Sequence, residues 1–287
     1  MLTLFKRSFK ILLFSLLCSG CDNSDQNHKP AAKKIINIGH AGSGFNYLFM
    51  PFNPYPPNSF QSLKNGLNDG AEGVEVDVQI TSDHVLVLFH DNTLESRTEL
   101  SGFMINANSK DVLGVSYECG FPYDLIQDEH IITFHQWLEY SIKLPVIPYL
   151  HIDLKTSNGQ SDAIVDTLLK LVFGELNSVN YPLDKVIVIS GESTVITKIL
   201  NNYPAINTAY QPAEFSEGLK WILANGVEYI IMDQKRLTPE DIQAAHEKGI
   251  GVIALGGRAK STFRKLIDMK PDYIQSNNVS LLHKLLK

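Results

Sequence analysis

The chain has 287 residues, 44% of them hydrophobic and 20% charged, with a formal net charge of -6. This is ordinary globular composition, long enough for one large core such as a β/α barrel of roughly 250 residues. The acidic balance argues against nucleic acid as a partner and gives no support for a polybasic membrane patch.

The first segment, "MLTLFKRSFKILLFSLLCSGC", has a basic start (Lys6, Arg7, Lys10), an apolar run over 11–18 and then small residues. That is the form of a secretory signal, and the run is too short for a spanning helix of about 20 apolar residues. Ser19-Gly20-Cys21 resembles the lipobox of bacterial lipoproteins, with Cys18 where leucine is usual. The expectation is a signal peptide over 1–20, lipidation at Cys21, a polar tether over 21–34 and a folded domain over 35–287. The protein would then sit in a bacterial cell envelope, lipid-anchored and facing the periplasm or the exterior. Cys119 alone remains in the mature body, so no internal disulfide framework is expected.

In chain order, apolar runs predict strands over 35–39, 73–80, 85–89, 146–154, 186–190, 206–210, 229–232, 251–255 and 273–275. Helical patterns lie between them over 59–68, 134–142, 161–173, 193–201, 216–224, 239–248 and 261–268. Thr238 followed by Pro239, Glu240 and Asp241 marks a helix start, and Gly249 marks a stop. The alternation implies parallel strands joined by helical crossovers, and its length favours a closed (β/α)8 barrel. No glycine-rich dinucleotide fingerprint follows the first strand, which disfavours an open doubly wound sheet. Residues 101–133 lack a clean period and read as an insertion over one barrel end.

The chemistry concentrates on alternate positions of two strands. In "EGVEVDVQ", residues 72–79, the valines share one face, and Glu75, Asp77 and Gln79 share the other. Two carboxylates so close are costly unless a proton or a cation resolves the repulsion, and a hard divalent cation with oxygen ligands suits them. "YLHIDLK", residues 149–155, repeats the design: His151, Asp153 and Lys155 face together. Asp153 would complete a three-carboxylate site, and Lys155 would supply positive charge for an anion. His40 ends the first strand and His90 the third, where catalytic groups of a barrel collect. Two histidines at one rim can divide general acid and base roles. The histidines at 28, 84, 130, 135, 246 and 283 lack such company.

Together "IGHAG", "GVEVDVQITSD", "VLVLFHDNTLESRT" and "IDLK" resemble the glycerophosphodiester phosphodiesterase family, in order from about residue 35 to 155. The resemblance implies a TIM barrel of the phospholipase-C-like phosphodiesterase type, and a divalent cation such as Ca²⁺ or Mg²⁺. It also implies hydrolysis of a small-molecule glycerophosphodiester to an alcohol and glycerol 3-phosphate. It places Glu75, Asp77 and Asp153 on the metal-ligand positions, with Asp153 where glutamate is usual. His40 and His90 fall on the acid/base pair, and Lys155 on a phosphate-contacting lysine.

The surround departs from the family. Ala41 stands where an arginine follows the first histidine, and Pro56-Pro57-Asn58-Ser59 replaces the Pro-Glu-Asn segment. Leu255-Gly256-Gly257-Arg258 replaces a Trp-Thr stretch, and Ser276-Asn277 replaces a Thr-Asp. Arg258 is expected to replace the missing arginine as a substrate-binding cation, and the glycines after His40 to let the chain turn beneath a phosphate. Two rival readings follow. One is a phospholipase C/D-like barrel on intact lipids, with Phe45, Tyr47, Phe49 and Phe52 as a lipid face; the other is a non-catalytic phosphodiester-binding lipoprotein.

Overall fold

The computed structural model describes residues 34–45, 53–156 and 160–287. The signal segment, Cys21, Tyr47, Phe49 and Phe52 lie outside the described residues.

Short runs of β-branched and aliphatic residues form the parallel strands β1 (Ile36–Gly39) and β2 (Gly73–Ile80). After a short β3 (Leu86–Leu88), the parallel set continues with β4 (Tyr149–Leu154), β5 (Val186–Ser190) and β6 (Asn207–Tyr210). It ends with β7 (Tyr229–Asp233), β8 (Gly251–Leu255) and β9 (Tyr273–Ser276). The order runs β1-β9-β8-β7-β6-β5-β4-β2, and β1 pairs with β2 to close the ring. The result is a (β/α)8 barrel, as the alternation implied.

The strand expected from residue 146 starts at Tyr149, because Pro148 has no N–H to give a ladder. Crossover helices α1 (Phe60–Asn68), α3 (Phe134–Ser141), α4 (Asp162–Ser178) and α5 (Ser193–Asn202) cover the outside. So do α6 (Phe215–Asn225), α7 (Pro239–His246), α8 (Lys260–Met269) and α9 (Val279–Leu286). Thr238 and Asp241 form a full capping box on α7, as the sequence foretold. The unanticipated α9 starts at an Asn278 cap whose side chain accepts from the Leu281 N–H.

Strand alternation sorts the core. Val74, Val76, Val78, Leu150, Ile152 and Leu154 pack outward against helices, while Ile38, Ile187, Ile189, Ile231 and Ile253 fill the barrel interior. At about 25 cal/mol per Å² of buried apolar surface, such aliphatic layers carry most of the folding energy.

One expectation is corrected. The third run does not enter the barrel: β3 is antiparallel to β2, with Val78 opposite Leu88 and Ile80 opposite Leu86. Only a short turn over 81–85 joins β2 to β3, too short for the crossover that a parallel neighbour needs. Beyond β3, residues 91–133 form short helical turns, among them α2 (Ser109–Val112). Leu94, Met104, Val112, Tyr117 and Ile131 make a separate apolar cluster with Val87 and Phe89. The insertion therefore packs on β3.

Candidate active site

β1 pairs β2 only as far as Gly39 opposite Val74, and β3 pairs it from Val78 onward. Between those two partners, level with Glu75 and Asp77, β2 is flanked by the residues that end β1 and follow β3. These are His40 and His90. Phe45 lies between the two imidazoles, its ring edge-to-face with each at centroid distances of 4.9 and 4.8 Å. Phe45 is thus a half-buried wall of the site, not part of an exposed lipid face.

On the other side of β2, Asp153 stands opposite Asp77 in the β4 register. Glu75, Asp77 and Asp153 each offer a carboxylate oxygen within 4.8 Å of the others. Lys155 reaches back into this cluster, its Nζ 2.7 Å from Asp77 Oδ1 and 2.6 Å from Asp153 Oδ2. His40, Glu75, His90, Asp153 and Lys155 share a cavity of about 170 Å³ with Ile189, Gln211, Ile231, Leu255 and Gln275. All belong to the C-terminal end of the barrel or to loops there. A larger groove of about 460 Å³ lies around the ends of α4 and α5, lined by Phe173, Tyr181 and Tyr203 with no acid, histidine or lysine. The chemistry is in the smaller space.

Specific bonds hold the acids in place. Asn58, at φ 64°, donates from Nδ2 to Asp77 Oδ2 at 2.6 Å, and its Oδ1 accepts the Asp77 N–H at 3.0 Å. Asparagine tolerates that left-handed backbone better than most residues. Glu75 Oε2 accepts the Ala41 N–H at 2.7 Å. Burial, then Asp77 and Asp153, raise the Glu75 carboxyl well above its ordinary range. Burial also raises Asp153, against the opposing pull of Lys155. Burial works against Asp77 as well, but Lys155, His90 and the Asn58 bond outweigh it and hold that carboxyl low. Three acids and one ammonium leave net negative charge in a largely buried space, a donor set suited to a hard divalent cation.

The two histidines differ. Asn277 Oδ1 accepts the Phe45 backbone N–H at 3.2 Å, which fixes that atom as an oxygen. His40 Nδ1 lies 3.0 Å from the same oxygen and must be the protonated nitrogen. Its Nε2 then carries the lone pair, on the side of Glu75 Oε2 at 4.0 Å. Burial above all pushes the His40 pKa down to about 4. His90 Nδ1 instead pairs with the Asp91 carboxylate at 2.8 Å, and that hydrogen bond holds Asp91 down to about 2.

Other sequence readings change on contact with the fold. Arg258 is half-buried in the loop after β8, its carbonyl accepting from Asn278 Nδ2, and it does not line the cavity. Ala41 is wholly buried at φ 47°, so an arginine there would have to displace its neighbours. The glycines after His40 serve close packing within the protein. A Cβ on Gly42 would lie 2.6 Å from Ser62 backbone, and one on Gly44 2.5 Å from Asn277 backbone. Asn58, Asn277 and Gln275 were not singled out for roles. Asn58 and Asn277 sit in segments visible only as departures from a family pattern.

The glycerophosphoryl diester phosphodiesterase family model matches residues 40–281, and the chain belongs to that family. The uncharacterised protein YqiK of Bacillus subtilis (strain 168) is 26% identical over 118 residues, 41% of this chain and 47% of that protein. The match therefore spans under half of that relative's length. A glycerophosphodiester phosphodiesterase of Parabacteroides distasonis superposes with a TM-score of 0.73 at 19% identity, over 89% of this chain and 98% of the other. An Oleispira antarctica phosphodiesterase, solved with the product sn-glycerol-3-phosphate, gives 0.72 at 19% identity over 87% and 95%. At such identities these structures speak for the fold.

Proposed function

We propose that the chain hydrolyses glycerophosphodiesters or related small phosphodiesters to an alcohol and a phosphomonoester. The observation that carries this reading is the meeting of His40, His90, Glu75, Asp153 and Lys155 in one small cavity, with Asp77 completing the acidic cluster beside them. Glu75, Asp77 and Asp153 would hold a divalent cation, Ca²⁺ or Mg²⁺, which supplies positive charge for phosphate oxygens when bound. Lys155 shares that charge from its place between Asp77 and Asp153.

His40 is the general base. Its neutral Nε2 takes the proton of the attacking oxygen as the new P–O bond forms; that oxygen comes from water, or from a substrate hydroxyl to give a cyclic phosphodiester that water then opens to the monoester. His90, its ring oriented by the Asp91 carboxylate on Nδ1, gives a proton to the alkoxide as the old P–O bond breaks. Phe45 packs edge-to-face on both rings and so fixes their placement in the cavity. Among the described residues, the cavity of about 170 Å³ is small for an intact diacyl lipid.

The deciding measurement is turnover of glycerophosphocholine and of an aryl phosphodiester by the full chain, with chelator and then with added Ca²⁺ or Mg²⁺. Activity lost on chelation and restored by the cation is expected. Full activity in excess chelator would remove the metal from the scheme, and no turnover of any diester would remove the hydrolase.

We also propose lipidation at Cys21 and an envelope location, on the strength of the basic start, short apolar run and lipobox-like Ser19-Gly20-Cys21. Mass spectrometry of the mature N-terminus checks it. An unmodified Cys21 in a bacterial host would refute the anchor.

A further inference from the structure

One polar pair inside the barrel is not used by the scheme above. His151 and Gln275 are 0% and 1% exposed, set among the isoleucines of the interior. Gln275 Nε2 donates to His151 Nδ1 at 3.0 Å, linking β9 to β4 across the inner faces of β1 and β2. His151 stands opposite Glu75 in the strand register, and Gln275 lines the catalytic cavity.

The bond has two consequences. With Nδ1 accepting, the ring proton sits on Nε2, which is buried with no partner. An orphaned buried donor is costly, and two aliphatic side chains here would avoid the cost. The second consequence is at the other end of the amide. Gln275 is tied through its nitrogen, so its carbonyl oxygen is its remaining polar side-chain atom, and no described residue donates to it.

A carbonyl oxygen accepts hydrogen bonds and cannot bind a phosphate oxygen, which is itself an acceptor. It selects a donor. The wall beyond it is aliphatic, with Ile189, Ile231 and Leu255. The whole space, about 170 Å³, is well below the ~300–1,000 Å³ of pockets for drug-sized ligands. It suits a phosphate with a short carbon unit.

We infer that Gln275 is a specificity residue whose carbonyl accepts a hydroxyl of the short alcohol that stays esterified to phosphate. His151 is a positioning residue that holds the carboxamide in that orientation. This rests on the phosphodiesterase reading.

The test is calorimetric binding of glycerol 3-phosphate and of propyl phosphate, which lacks both hydroxyls, to the full chain in Ca²⁺. The parent should prefer glycerol 3-phosphate by about ten-fold, the scale of one net hydrogen bond. Gln275→Leu should abolish the preference while leaving propyl phosphate affinity nearly unchanged. His151→Leu should do the same, and the double variant should lose no more than either alone. His151→Asn, whose Oδ1 can take the place of Nδ1, should keep the preference. If His151→Leu does not fold, Gln275→Leu and His151→Asn decide the matter alone.

A parent that binds neither ligand, or both equally, overturns the inference. So does Gln275→Leu weakening both ligands alike, or His151→Asn losing the preference. Failure of the phosphodiesterase reading appears separately, as no turnover of any diester by the parent, because binding is read on monoesters.

Discussion

Around the cavity, β2 and β4 contribute Glu75, Asp77 and Asp153, with Lys155 just past β4, while β5, β7 and β8 across the barrel contribute Ile189, Ile231 and Leu255. The aliphatic wall needs no help, since burial alone stabilises it. The charged wall is held against burial by named bonds: Asn58 on Asp77, the Ala41 N–H on Glu75 and Lys155 between two carboxylates. A barrel could close with isoleucine on every side. The comparison teaches that electrostatic strain is confined to one wall, the wall proposed to act on a phosphate.

The largest expected effect comes from removing the two groups proposed to move protons at the charged wall. His40→Ala and His90→Ala should each lower turnover by ~10²-fold or more, with little change in melting temperature. Burial holds His40 near 4, so the neutral base persists at acidic pH and is lost only below that value. The acid limb of kcat/KM should therefore fall near pH 4; a limb near 6.5 would take His40 out of the base role.

Lys155 sharpens the contrast next. Lys155→Met leaves Asp77 and Asp153 unpaired, and breaking a buried ion pair from one side costs about 3–5 kcal/mol. Metal-free Lys155→Met should show that loss in chemical denaturation, and a divalent cation should restore much of it. An unchanged midpoint would mean that the ion pairs contribute nothing.

Glu75→Gln should move stability the other way. The folded-state carboxyl is raised above its ordinary 4.5 by burial and the neighbouring acids. Its contribution is thus present below pH 4.5 and lost as pH rises through the raised value. The metal-free variant should melt about 2–4 °C above the parent at pH 7, equivalent to roughly 1 kcal/mol. The gap should vanish below pH 4.5, and the cation's stabilising effect should shrink. A variant less stable than the parent at both pH values would refute the strain.

The smallest effect is assigned to Arg258. Because it does not line the cavity, Arg258→Ala should change kcat/KM by less than about three-fold, far below the ~10–100-fold of a lost charged contact. A larger fall with unchanged stability would bring Arg258 back to the phosphate.

Much of the charged wall was legible because strand periodicity is local. Given that residues 73–80 form a strand, the valines and the acids must separate, and β4 follows the same rule. The braces were not legible. Asn277 contacts His40 from 237 positions away, and its value depends on β9 closing beside β1. The direction of β3 was missed because an apolar run does not state its partner; the short 81–85 link was the available sign. Arg258 was placed by loop flexibility, which gives reach but no direction.

The antiparallel β3 has one more consequence. Closing a barrel removes every free strand edge, but appending a ninth strand creates one again, and a bare edge invites another chain to pair with it. Here the end of the insertion occupies that edge. The Leu88 N–H donates to the Ile132 carbonyl, Val87 bridges Thr133, and the Tyr117 hydroxyl donates to the Leu88 carbonyl. The segment after His90 thus shields the molecule from edge-to-edge self-association. Shortening it would be felt first as loss of solubility.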